Sequence, residues 1–296
     1  MTKGKGETGM KIGISSYSYN SLVTDGSMSL PDVIDSVAEA GFDQIELVGI
    51  TPPAGTDVIR YAETLRSRAI GKGIEISAYT VGADFLHPEN GGPEDEVDRI
   101  KRCLDVAAAL GAPKLRHDAA WGFSERQGNY REALDIISPH LLAVTEYAQS
   151  LGIKTMCENH GYFMQDSYRM ERLVRKVNHP NFGLLVDIGN FLCADESPVS
   201  AVGRVAPYAF HVHAKDFLFK SGAEISPGDG WFPTRCGNHL RGTVLGHGIV
   251  PVSQCLQTLR TSGYDGDVSV EFEGLESPRF AAKAGLALLR RLLKDC

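Results

Sequence analysis

Ala38–Leu47 reads AEAGFDQIEL: the end of a helix, a glycine, two residues, and then a strand. A glycine just past the last helical turn takes up the left-handed conformation that closes a helix. Four more stretches repeat the same grammar: Gly71–Ser77 (GKGIEIS), Ala109–Leu115 (ALGAPKL), Gln149–Thr155 (QSLGIKT) and Thr261–Val270 (TSGYDGDVSV). Five such junctions spread along one chain make a strand–helix alternation that runs its whole length, and such alternation builds a parallel sheet.

Working outward, Met10–Ser16 is a first strand, and Ser29 with Pro31 opens a helix that ends at Gly41. Strands follow at Phe42–Val48, Ile74–Tyr79, Pro113–His117, Ile153–Glu158, Phe182–Asp187, Ala209–Lys215 and Val268–Phe272. Eight strands, each followed by a helix, predict an α/β fold of the (β/α)8 TIM-barrel type in a single domain, residues 10–296. Residues 1–9 read as a disordered leader. The stretch 218–248, after strand seven, has little periodicity, and a long irregular stretch at the ligand face is expected to wall or cover a site.

The formal charge of −7 is the wrong sign for a phosphate-backbone binder. The six cysteines form no CxxC pair, and the start of the chain lacks an apolar signal core, so the cytoplasm is the expected compartment.

Four strand ends carry chemistry: Thr155–Gly161 (TMCENHG), Leu184–Asn190 (LLVDIGN), Ala209–Phe217 (AFHVHAKDF) and Val268–Gly274 (VSVEFEG). In a barrel, residues at the carboxyl ends of strands surround the ligand site. Glu158, Asp187, one histidine of the His211/His213 pair and Glu271 recur about one strand-plus-helix unit apart once the insertion is discounted. Three carboxylates and one imidazole suit a single divalent ion, Mn²⁺ or Mg²⁺ first, with Zn²⁺ or Co²⁺ as alternatives. Glu158 and Glu271, on opposite sides of the ion, are the expected proton carriers to a substrate whose carbonyl and neighbouring hydroxyl chelate it.

With these phrases the chain resembles the xylose-isomerase-like superfamily, and within it the sugar phosphate isomerase/epimerase group. FDQIEL, ENHG, VDIGN, HVHAKD and VSVEFEG carry the resemblance over roughly residues 10–294. It implies that Glu158, Asp187, His213 and Glu271 bind the metal, with His213 chosen over His211 because the second histidine of such a pair is the family's usual ligand. It also implies an isomerase or epimerase that works through an enediolate. Ketose 3-epimerases of this group carry a histidine where this chain has Asn190, and an arginine where it has Phe219.

His160, Asn190, Lys215, His117, Glu46 and Trp121 are the further candidates for substrate contact, Glu46 alternatively as a partner to a ligand histidine. The expected partner is a small-molecule carbohydrate, with no nucleic acid and no membrane, and a homo-oligomer is expected. The nearest rival is a lyase or dehydratase on an inosose or 3-keto-glycoside using the same metal. An endonuclease IV-like enzyme and a non-catalytic sugar-binding barrel stand further off.

Overall fold

The segment before strand two shows how locally the fold is encoded. Ser29 and Asp32 cap each other at the start of a helix over Leu30–Ala40, and Gly41 ends it with φ of 89°. Val33, Ile34 and Val37 form its buried stripe, which lies against the sheet. The chain then enters a strand buried over its first four residues, 44–47.

The computed structural model describes residues 10–122 and 129–294. The expected leader, residues 1–9, lies outside them. Barrel strands are β1 (Ile12–Ser15), β2 (Gln44–Val48), β3 (Glu75–Val81), β4 (Lys114–His117), β5 (Lys154–Glu158), β6 (Phe182–Asp187) and β7 (Ala209–Ala214). Next come the short strands β8 (Asp216–Lys220), β9 (Phe232–Pro233) and β10 (His239–Thr243), and then the last barrel strand, β11 (Val268–Val270). The closed order β1-β11-β7-β6-β5-β4-β3-β2, parallel throughout, is a (β/α)8 barrel in one domain, as the junctions predict. Among the described residues no helix is long and apolar enough to cross a membrane.

The large apolar core lies between the strands and the helix ring. Inside the barrel a small plug of Ala78, Met156 and Leu185, with Phe210 against it, is flanked by buried polar groups. Strand alternation selects them. On β4, Lys114 and Arg116 point inward, to Asp267 and Glu158, while Leu115 joins the outer core. His117 shares the outward parity: its Nδ1 lies 2.8 Å from the Asp118 carbonyl oxygen and its ring packs on Phe85 and Phe182. The expectation that His117 reaches the ligand is therefore corrected. It sits behind the barrel wall, where burial lowers its pKa to about 4.

The stretch after β7 is more ordered than its sequence suggests. β8, β10 and β9 make a three-stranded antiparallel sheet, with the Phe217 and Phe232 rings edge to face at 5.8 Å. Its root is fixed by Asp216, whose carboxylate accepts the N–H groups of Gly246, Gly248 and Val250. Its far end is pinned to the loop after β6. Asp195 accepts hydrogen bonds from Thr234, Cys236 and Asn238, at 2.7, 2.6 and 2.8 Å.

Candidate metal centre

Each of the four strand-end residues arrives by the same parity. Glu158 ends β5, Asp187 ends β6, His213 is the fifth residue of β7, and Glu271 follows β11. Their donor atoms converge. His213 Nδ1 lies 3.4 Å from Glu271 Oε2, 3.8 Å from Glu158 Oε1 and 3.9 Å from Asp187 Oδ2. Four donors about 2.1 Å from one ion stand roughly 3–4 Å apart, so these separations suit a single small cation. All four residues are buried.

The bonds around the cluster leave the inward atoms open. Asp187 Oδ1 accepts the backbone N–H groups of Gly189 and Asn190, both at 2.8 Å, while Oδ2 is buried with no hydrogen-bond partner among the described residues. His213 Nε2 lies 2.7 Å from Glu46 Oε2, and Nδ1 is likewise buried without a hydrogen-bond partner. An acceptor oxygen and a ring nitrogen turned toward one cluster, neither with a hydrogen-bond partner and the oxygen facing only the Lys215 ammonium at 3.3 Å, fit a cation site. Glu46, His211 and His213 also approach one another, but as a hydrogen-bonded group. His211 Nε2 lies 2.9 Å from Ser269 Oγ and 3.4 Å from Glu46 Oε2, below the cluster.

Glu46 does not face a substrate. Fully buried, it has one oxygen against the two histidines and the other accepting from Thr80 at 2.8 Å. That moves it from its expected place among the substrate contacts to the alternative, a partner of the histidine expected as a ligand. Burial would raise its pKa, but His213 and His211 outweigh burial and hold it well below the carboxylate range.

Arg116 is the residue that sequence reading missed. Its Nε and Nη2 both donate to Glu158 Oε2, at 2.8 and 2.7 Å, and Nη1 and Nη2 reach Asp118, at 3.1 and 2.9 Å. Asn190 Nδ2 donates to the other oxygen, Glu158 Oε1, at 2.9 Å. From Asp118 the chain of contacts continues outward to His160 Nδ1, at 3.2 Å. Burial works against the His160 imidazolium, but the bond to Asp118 raises its pKa overall. Trp121, half exposed, meets the His160 ring edge to face at 5.1 Å and forms the rim.

Lys215 lies in the cluster itself. Its Nζ is 2.6 Å from Glu271 Oε2, 3.3 Å from Asp187 Oδ2 and 3.1 Å from Glu273 Oε1, and it donates to Asn190 Oδ1 at 3.3 Å. Burial would raise the pKa of Glu271, but Lys215 and then His213 pull it well below the usual range. Asp187 shifts upward, mainly because it is buried. Tyr17, also missed, stands at the opposite rim, where partial burial and the charges of Glu273 and Glu271 raise its phenol. It lines a cavity of about 410 Å³ with Ser16, Asn20 and Tyr61.

Residues 34–292 match the sequence profile of the xylose isomerase-like TIM barrel family. The chain belongs to that family. Over 177 residues it is 28% identical to the uncharacterized protein YihM of Escherichia coli, a match that covers 60% of this chain and only 48% of YihM. It is 24% identical over 256 residues to the 3-oxo-isoapionate decarboxylase of Pectobacterium atrosepticum, covering 85% of this chain and 81% of that enzyme. Among solved structures, a xylose isomerase-like TIM barrel protein from Mycobacterium smegmatis in complex with magnesium superposes with a TM-score of 0.73 at 19% identity, over 96% of this chain and 97% of that one. The last of these is a likeness of fold.

Proposed function

We propose that this protein is a divalent-metal-dependent enzyme acting on a sugar or sugar derivative, in which loss of the proton alpha to a carbonyl gives an enediolate. The observation that carries this reading is the convergence of Glu158 Oε1, Asp187 Oδ2, His213 Nδ1 and Glu271 Oε2, two of them buried without a hydrogen-bond partner. Those four residues would hold the ion. Once bound, the ion supplies Lewis-acid polarisation of the substrate carbonyl.

The two glutamates are not equivalent as proton carriers. Glu158 has both oxygens committed, one to the Arg116 fork and one to Asn190. Among the described residues the polar contacts of Glu271 fall on Oε2 alone, from Lys215 Nζ at 2.6 Å and His213 Nδ1 at 3.4 Å, with no arginine fork. Glu271 is thus the carrier that can give and take a proton, with Lys215 beside it to neutralise charge developing on a substrate oxygen. One mobile carboxylate suffices for aldose–ketose isomerisation. Epimerisation by two carriers on opposite faces would also need Glu158 released from Arg116.

The same asymmetry favours a second reading, a lyase. Elimination of a group beta to the carbonyl also needs one carrier for the first proton. The decarboxylase relative acts, by its name, on a 3-oxo acid, where loss of carbon dioxide beside the ketone leaves the same kind of enolate.

The test is to incubate the Mn²⁺-loaded protein in D₂O with a panel of aldoses, ketoses, inososes and 3-keto-glycosides. Isomerisation places deuterium in a product of unchanged skeleton, and a lyase releases water or a fragment. Glu271→Gln should abolish both. If no member of the panel exchanges a proton or loses a group, the proposal falls.

A further inference from the structure

Lys215 and a metal ion claim the same two oxygens. The ammonium sits 2.6 Å from Glu271 Oε2 and 3.3 Å from Asp187 Oδ2, both among the atoms that converge with His213 Nδ1. A cation about 2.1 Å from Glu271 Oε2 would lie within about 5 Å of that ammonium, where like charges repel strongly in a poorly hydrated site. Lys215 is itself buried, so water cannot relieve the repulsion.

Two further partners already touch the ammonium. Glu273 Oε1 is 3.1 Å away and Asn190 Oδ1 3.3 Å. The Glu273 side chain is 30% exposed, against 9% for Glu271 and none for Asp187, so of the three carboxylates Glu273 lies nearest solvent. Losing Glu271 and Asp187 would therefore leave the ammonium paired with Glu273 and bonded to Asn190.

We propose that Lys215 is an exchangeable counter-ion of this site. Its ammonium holds Glu271 and Asp187 until a divalent cation takes those oxygens, and then gives up that pair while keeping Glu273 and Asn190, which it already touches, so that its free N–H groups can meet a substrate oxygen. This rests on the reading of the four-residue cluster as a metal site. It gives Lys215 and Glu273 a joint role in setting metal affinity that neither residue has as an isolated charge.

The probe is Mn²⁺ alone. In a crystal of the wild-type protein soaked with Mn²⁺, an anomalous peak is expected among the four donors, with Lys215 Nζ withdrawn from Glu271 Oε2 and bonded to Glu273. In solution, calorimetry should find Lys215→Met binding Mn²⁺ on the order of tenfold more tightly than wild type, because a competing charge is gone. Glu273→Gln should weaken binding in the wild-type background but have much less effect when combined with Lys215→Met. A double-mutant cycle isolates that coupling. A peak with the ammonium unmoved, or a Glu273→Gln effect of equal size in both backgrounds, overturns the exchange and leaves the metal site standing. Absence of any peak at the four donors overturns the site reading and the exchange together. The crystal does not depend on a variant, so a misfolded Lys215→Met protein would still leave a decisive result.

Discussion

Glu46 Oε2, on β2, lies 2.7 Å from His213 Nε2, on β7, and this bond determines which ring nitrogen of His213 faces the cluster. Because the carboxylate accepts, Nε2 carries a hydrogen and Nδ1 is the nitrogen turned toward Glu158, Asp187 and Glu271. A carboxylate behind a ligand histidine fixes its orientation and raises its basicity, and removing such a partner typically costs 10–100-fold in metal affinity. Glu46→Gln is expected to weaken Mn²⁺ binding by about that factor, measured by calorimetry, with the fold unchanged by circular dichroism. Unaltered affinity would mean that the β2 carboxylate does not orient the ring.

The same bond carries a pH dependence. Burial opposes a charge on His213, but Glu46 and then Glu271 outweigh burial and hold its pKa well above the ordinary histidine value. The proton that must leave is on Nδ1, the atom offered to the ion. Metal binding therefore releases a proton, and affinity should rise with pH through the neutral range and beyond, by up to about tenfold per pH unit while His213 remains protonated. Glu46→Gln removes the larger of the two charges, so the rise should be complete at lower pH in that variant. A wild-type affinity flat between pH 6 and 9 would contradict this assignment of the proton.

What the sequence made legible, and what it hid, follow from how local each signal is. The helix–glycine–strand junctions are contiguous, and Gly41, Gly73, Gly111, Gly152 and Gly263 all take positive φ as those junctions require. The converging Glu158, Asp187, His213 and Glu271 share one phase of a regular repeat, so alignment of strand ends was enough to group them. Arg116 shares neither advantage. It sits inside KLRH, where an inward charge contradicts the apolar run expected of a parallel strand, and its partners Glu158 and Asp118 are known only once β4 and β5 pair. His117 was misplaced by one step of the same alternation. The sheet of β8, β9 and β10 was hidden because β9 is two residues long and is held by pairing with β10, not by any pattern of its own.

Arg116 offers a test that separates stability from chemistry. Its guanidinium compensates two buried carboxylates, Asp118 and Glu158. Removing one partner of a buried ion pair leaves an uncompensated charge and costs about 3–5 kcal/mol. Arg116→Met should lower stability to chemical denaturation by about that amount, unless added Mn²⁺ restores part of it through Glu158. Arg116→Lys keeps the charge but loses the fork, so a smaller loss is expected. A cost below about 1 kcal/mol for Arg116→Met would place the pair in the class of exposed, weakly contributing ion pairs.

Asp195 tests whether the sheet after β7 is a fixed wall or a loose flap. Three donors from the 234–238 turn converge on its carboxylate, and the residue itself holds a left-handed backbone with φ of 57°, which aspartate tolerates better than most side chains. Burial would raise its pKa, but the bonds from Thr234, Asn238 and Cys236 pull it below the usual value. A carboxylate with a depressed folded-state pKa contributes stability that is present above its unfolded pKa, near 4, and is lost as pH falls through the folded value. Asp195→Ala removes all three bonds at any pH, so the 221–230 tip should become the first site of limited proteolysis while the barrel stays intact. In the wild-type protein the same cleavage should appear only once the solution is acidified below about pH 4, assayed with an acid-active protease. Cleavage that begins elsewhere in Asp195→Ala would show that other contacts hold this sheet in place, and cleavage at the tip of the wild-type protein at neutral pH would show that the Asp195 bonds do not protect it.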